Sequence, residues 1–180
     1  MSEFVCLKKQ EYGIGFIQEN IETLVYSALC FLLPFLVGHP QLVVGIGVNV
    51  ALVLAALNVR TYKLIPIIIF PSLGVLAQGL IFGPFTFFLV FMIPFVWIGN
   101  FILVYLIKRI HLGANKNKWL SLGIAAVLKM AFLFAAAYVL VQFSVIPVIF
   151  LTAMGLMQLY TALAGGAIAF GLHFAKKKLV

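Results

Sequence analysis

Residues 85–107 read FTFFLVFMIPFVWIGNFILVYLI, a run without a single charged side chain. A helix rises about 1.5 Å per residue, so roughly 20 residues cross the ~30 Å hydrocarbon layer of a membrane. A strand of a membrane barrel would be about ten residues long and would alternate apolar with polar positions. This run is apolar on every face, so it reads as a membrane-spanning helix. It ends in KRIHLGANKNK at 108–118, and a second apolar run then covers 119–142.

The same texture extends in both directions. Apolar runs at 21–37, 41–58, 64–82, 85–107, 119–142 and 146–174 predict an all-α polytopic membrane protein, a bundle of six transmembrane helices occupying 21–175. Residues 1–20 form an N-terminal segment at the cytoplasmic interface, and 176–180 a basic cytoplasmic tail. Composition agrees. Of 180 residues 65% are apolar and 9% charged, with eighteen Phe, and the mean hydropathy is +1.22. A soluble domain carries roughly a quarter charged residues, so a soluble enzyme and a disordered chain are both excluded. The net charge of +8 is read first as a topology signal, not as a nucleic-acid surface.

The breaks between runs alternate in character. Gly38-His39-Pro40, Gly83-Pro84 and the stretch from Ser144 to Pro147 carry no charge. The other breaks and both ends are basic: Lys8 and Lys9, Arg60 and Lys63, Lys108 to Lys118, then Lys176 to Lys178. Eleven of the twelve basic residues thus lie on one side, which the positive-inside rule makes the cytoplasm. Both termini are then cytoplasmic, as an even number of spans requires. Glu19 and Glu22, with no small-residue cleavage site after them, argue against a secretory signal. Residues 4–17 are amphipathic enough to lie along the interface. Cys6 and Cys30 fall at different depths and form no metal-ligand spacing.

Pro34, Pro66, Pro71 and Pro94 fall inside the expected spans, where each removes a backbone hydrogen bond. A proline within a span gives either a harmless kink or a true break, and breaks are tolerated where they face protein or a wet cavity; the densest such stretch is the third span, whose helix is broken or only kinked. Gly47, Ala51 and Ala55 in the second span, and Gly155, Ala162, Gly165, Gly166 and Ala169 in the sixth, read as close-packing faces.

Deep polar residues carry the functional signal, because a charge at the bilayer centre costs at least about 2.5 to 3.5 kcal/mol. Lys129 is the one basic residue within a span, roughly 15 Å from the cytoplasmic edge. Its helical neighbours Ala125, Ala126, Phe132 and Leu133 include no carboxylate, and Glu22 is far away in depth. Asn49 and Gln78 lie roughly 12 and 9 Å from the outer edge, and Asn100 and Gln158 somewhat below the midplane. Trp97, one turn from Asn100, is too deep for an interfacial belt. Lys129, Gln158, Asn100, Trp97, Asn49 and Gln78 are therefore the candidate substrate-binding residues: a cation, amides and an aromatic platform in an apolar bundle. Each amide also has a purely structural reading, as an interhelical hydrogen bond.

Other chemistries lack their residues. No Gly-rich phosphate loop is present, no pair of intramembrane histidines suits haem, and no carboxylate pair, Ser–base pair or His cluster provides a catalytic set. The expectation is a non-enzyme without a cofactor.

In length, span count and orientation the whole chain resembles the substrate-binding S components of energy-coupling factor (ECF) vitamin transporters. The likeness extends to the Pro- and Gly-rich third and fourth spans, IPIIIFPSLGVLAQGLIFGPF (65–85) and IPFVWIGNFILVYLIK (93–108). It implies capture of a vitamin-like solute at a prokaryotic cytoplasmic membrane, with a transmembrane coupling subunit and separate ATPase subunits as partners. Members of that family carry an Ala-x-x-x-Ala docking face on the first helix, where this chain has Thr23 and Ser27. Their outer loop after that helix is often longer than Gly38-His39-Pro40. The alternative from a different class is a membrane anchor or scaffold for a cytoplasmic redox or biosynthetic complex, held through the basic face.

Overall fold

The computed structural model describes residues 15–37, 39–79 and 83–179. Among the described residues seven α-helices build six spans. α1 is Phe16–Val37, α2 Gln41–Asn58, α3 Ile65–Gln78, α4 Leu89–Leu106, α5 Lys118–Gln142, α6 Ile149–Met154 and α7 Leu156–Leu179. Short 3-10 turns at Thr61–Leu64 and Gly83–Phe88 lead into α3 and α4. A π-helical segment, Ile107–Gly113, prolongs α4. Among the described residues there is no strand.

Local sequence accounts for these boundaries. Pro66 sits in the first turn of α3, where a missing N–H costs nothing, so it does not interrupt a span as expected. α3 stops where Gly79 takes the left-handed conformation with φ of 76°, which a residue without Cβ adopts freely. α3 runs unbroken through Pro71. Asn117 caps α5, its side-chain oxygen accepting from the Trp119 N–H at 2.9 Å.

Two expected boundaries need correction. The first helix begins at Phe16, not 21, and so includes Glu19; of the interfacial segment only its last residues are described, and Cys6, Lys8 and Lys9 lie outside the described residues. The fourth span continues to Gly113, so Lys108, read as a loop residue, is buried at 3% exposure. The basic tail continues the last helix through Leu179. The third span, where a break and a kink were both open, is one helix through Pro71, and the interruption falls in the sixth. The helix breaks at Gly155 (φ −93°, ψ −110°), where an added Cβ would stand 2.7 Å from the Leu151 carbonyl and 3.0 Å from the Phe134 ring.

α2 is the central helix, with Leu52, Val53, Ala55 and Ala56 fully buried. It packs most extensively on α7, while α1 packs on α3 and α4 on α5. The α2–α7 approach is close. A Cβ on Gly165 would lie 2.8 Å from the Ile46 carbonyl oxygen and from Asn49 Cβ, and one on Gly45 would lie 2.8 Å from Thr161 Cγ2. The outer surface is apolar all round, with Leu24, Leu36, Val43, Phe87, Val139 and Leu172 each at least 41% exposed. Water penalises so large an apolar surface, whereas hydrocarbon does not. All six spans meet the length and hydropathy that a crossing needs, and the chain is a multi-pass membrane protein.

At the basic end the few carboxylates are committed. Glu19, 2% exposed, pairs with Lys63 Nζ at 3.0 Å and with Arg60 Nε at 3.3 Å, and accepts from the Arg60 backbone N–H at 2.9 Å. Glu22 pairs with Lys176 and accepts from Tyr26 Oη at 3.1 Å, and Asn58 Nδ2 donates to that same phenol oxygen at 3.0 Å. These bonds tie the start of α1 to the α2–α3 turn and to the end of α7. The loop cations that set topology are here also structural.

Candidate functional site

Asn49, Ser72, Asn100, Lys129 and Gln158 converge on one cavity of the interior. Its volume is about 100 Å³. Lining residues come from five spans in their uncharged half or at their midpoint: Pro34 from α1, Gln41 to Asn49 from α2, Pro71 to Val75 from α3, Leu89 to Asn100 from α4, and Lys129 from α5; the sixth span adds Met154 and Gln158. On α2 the lining positions 41, 44, 45, 48 and 49 follow helical spacing. They form one stripe, which descends about 12 Å from the helix start to Asn49. The cavity therefore runs lengthwise, from the uncharged end of the bundle to its middle.

Lys129 forms the floor. It is 2% exposed, among fully buried Ala125, Ala126 and Leu133 of its own helix. Its Nζ donates to Asn49 Oδ1 at 2.8 Å, a charge-assisted length. Asn49 is itself held: its Nδ2 donates to the Gly45 carbonyl at 2.9 Å and to Thr161 Oγ1 at 3.2 Å, and Thr161 Oγ1 donates to the Met157 carbonyl at 2.8 Å. With both amide protons placed, Asn49 can present only oxygen to Lys129. The close α2–α7 packing at Gly45 and Gly165 makes this relay possible. An ammonium has three donors, and among the described residues Lys129 has this one hydrogen bond and no ion pair.

The wall between α3 and α4 is built around Pro71. Asn100, 3% exposed, donates from Nδ2 to the Ile68 carbonyl at 3.1 Å, and Ser72 Oγ donates to the Ile69 carbonyl at 2.8 Å. Side chains thus serve carbonyls in the turn leading into a proline that supplies no N–H. Trp97 Nε1 donates to Ser72 Oγ at 2.7 Å. Gln158 and Gln41 line the cavity, and among the described residues their carboxamides make no hydrogen bond.

Of the six expected residues, Lys129, Asn49, Asn100 and Gln158 meet in this cavity. Trp97 does not line it. An indole N–H in an apolar interior needs an acceptor, and finding it at Ser72 turns the ring into a fastening between α3 and α4 instead of an open platform. Gln78 is the last residue of α3. Its expected depth assumed a helix continuing to 82, and Gly79 ends the helix first, so Gln78 stays outside the cavity lining. Gln41 and Ser72 were missed. Gln41 is the first residue of the second span, at its outer edge, where a polar side chain gives no signal of depth, and Ser72 sits between Pro71 and Gly74 in a stretch read only for its backbone. Thr161 lies one turn from Gln158 on the last helix, and its bond to Asn49 is set by α2–α7 packing.

The docking spacing at Thr23 and Ser27 is occupied internally. Thr23 Oγ1 donates to the Glu19 carbonyl at 2.8 Å and Ser27 Oγ to the Thr23 carbonyl at 2.6 Å, and Ser27 is buried. Among the described residues no three His, Cys, Asp or Glu side chains gather as a metal site would need.

Fold and site together define a class: a multi-pass helical membrane protein with a polar-floored cavity in its interior. No family model, curated protein or solved structure matches the chain.

Proposed function

We propose that this chain is the integral-membrane substrate-binding subunit of an uptake transporter for a small, vitamin-like solute, energised by separate ATPase subunits through a membrane coupling partner. The observation that carries the reading is the cavity. It combines a buried cation, a held amide and two carboxamides with free donors inside apolar walls, the composition of a small-molecule site. Purely structural amides would have found partners within the bundle, as Asn100 does.

In this reading the basic end faces the cytoplasm and the cavity serves the outer face of a prokaryotic cytoplasmic membrane. With Ser27 buried and both hydroxyls bonded to backbone carbonyls, the coupling partner binds another part of the lipid-exposed surface. The break at Gly155 lies one turn from Gln158, so α6 can shift against α7 as solute enters without disturbing the Asn49–Thr161 relay.

Native mass spectrometry of the gently extracted protein tests the proposal. A bound small molecule, with membrane and ATPase subunits copurifying, is the expected result. A stable soluble partner with no bound solute overturns it in favour of a membrane anchor for a cytoplasmic complex.

A further inference from the structure

The cavity also constrains the charge of what it holds. Resting on the proposal that the cavity binds a solute, we infer that this solute is a small monoanion with its carboxylate against Lys129.

Four observations lead there. The two described carboxylates, Glu19 and Glu22, are engaged at the basic end with Arg60, Lys63 and Lys176, so neither compensates Lys129. A cationic solute would add a like charge beside Lys129 in a medium that screens little. A neutral solute would leave the ammonium uncompensated, the situation the membrane interior penalises most. One anionic group supplies acceptors for the two donors that Asn49 leaves over.

Geometry reinforces this. The bonds to Gly45 and Thr161 keep the Asn49 oxygen turned to Lys129, so the ammonium is placed before the solute arrives. Gln158, half-buried in the same lining, offers a carboxamide donor to a second carboxylate oxygen, and Gln41 lies at the outer end of the α2 stripe. Val48, Val75, Leu89 and Val96 form apolar walls that strengthen the charge-assisted contact by excluding water. A closed cavity of roughly 150 Å³ holds benzene, so about 100 Å³ seats the carboxylate end of the solute, for which acetate, propionate and lactate are minimal probes, with any longer chain extending towards Gln41. A single cation favours a single negative charge over a dicarboxylate.

The test compares propionate with propionamide, its neutral isostere, on the full chain in nanodiscs at constant ionic strength, reading the melting temperature as a function of ligand concentration. Propionate should stabilise the protein, with a half-saturating concentration roughly tenfold to a hundredfold below that of propionamide. This comparison needs no variant. Lys129→Met, which keeps the chain length, should erase the preference, and Gln158→Leu should weaken both ligands while keeping it. Equal responses to the two probes overturn the monoanion, as does a preference that survives in Lys129→Met, or no response to acetate, propionate or lactate. Those results leave the transporter proposal standing if native mass spectrometry finds a neutral bound solute. The absence of any bound solute overturns that proposal separately.

Discussion

Replacing Gly165 by Ala adds one methyl group where α7 meets α2. That carbon would lie 2.8 Å from the Ile46 carbonyl oxygen, 2.8 Å from Asn49 Cβ and 3.0 Å from the Val50 nitrogen. Two of these three atoms are backbone and cannot rotate away, so the helices must part by several tenths of an ångström. Overpacking of this kind costs about 1 to 3 kcal/mol. Against it stands the gain of about 1 kcal/mol that Ala has over Gly within a helix, which makes the single variant hard to interpret. Gly123→Ala supplies the reference, because nothing lies within 4 Å of its added Cβ. The propensity gain cancels between the two variants, and their difference is the packing term alone. At roughly 2 to 4 °C per kcal/mol for a chain of this size, Gly165→Ala should melt about 2 to 12 °C below Gly123→Ala in the same detergent. It should also bind propionate more weakly, because the atom it crowds belongs to Asn49. Equal melting temperatures would refute the α2–α7 contact, and with it the relay that places Lys129.

Single cysteines at His39 or Ser144, in a background lacking Cys6 and Cys30, should react with an impermeant thiol reagent added outside intact cells, and one at Asn115 should not; labelling at Asn115 reverses the orientation. Glu19→Gln should destabilise the protein by less than the roughly 3 to 5 kcal/mol of a fully buried broken pair, since the Arg60 side chain is 33% exposed and can regain water. Glu22→Gln should cost less still, because the Lys176 side chain is 38% exposed and such pairs are worth about 0 to 1 kcal/mol; the reverse ordering in thermal melts would count against the buried clamp. Trp97→Phe should lower stability by about 0.5 to 1.5 kcal/mol for one lost hydrogen bond while leaving propionate binding within about twofold, whereas a large loss of binding would restore the aromatic platform.

The number of spans, their class and the list of deep polar residues were present in the sequence, and for one reason. Hydrophobicity along a chain is a local property, so a run such as 85–107 announces a membrane helix without reference to any partner. The expense of a buried charge is equally local, and it singled out Lys129 before its surroundings were known. What needed the tertiary structure was the pairing of residues far apart in the chain. Lys129 and Asn49 were both candidates, but only the packing of α2 on α7 and the reach of the lysine side chain from α5 make them donor and acceptor at 2.8 Å. Trp97 and Ser72 looked like an aromatic site and a backbone detail, and the approach of α4 to α3 joined them into a structural fastening. Pro71 left a break and a kink both open in the sequence; carbonyls near it are served by Asn100 and Ser72 from within the bundle, and the helix stays whole. The break came at Gly155, which read as one small residue among several, because whether a glycine packs or interrupts depends on what faces it, here the Phe134 ring and the Leu151 carbonyl. One-dimensional chemistry determined which side chains are costly to bury; three-dimensional packing decided which of those costs are offset within the protein and which are left facing the cavity.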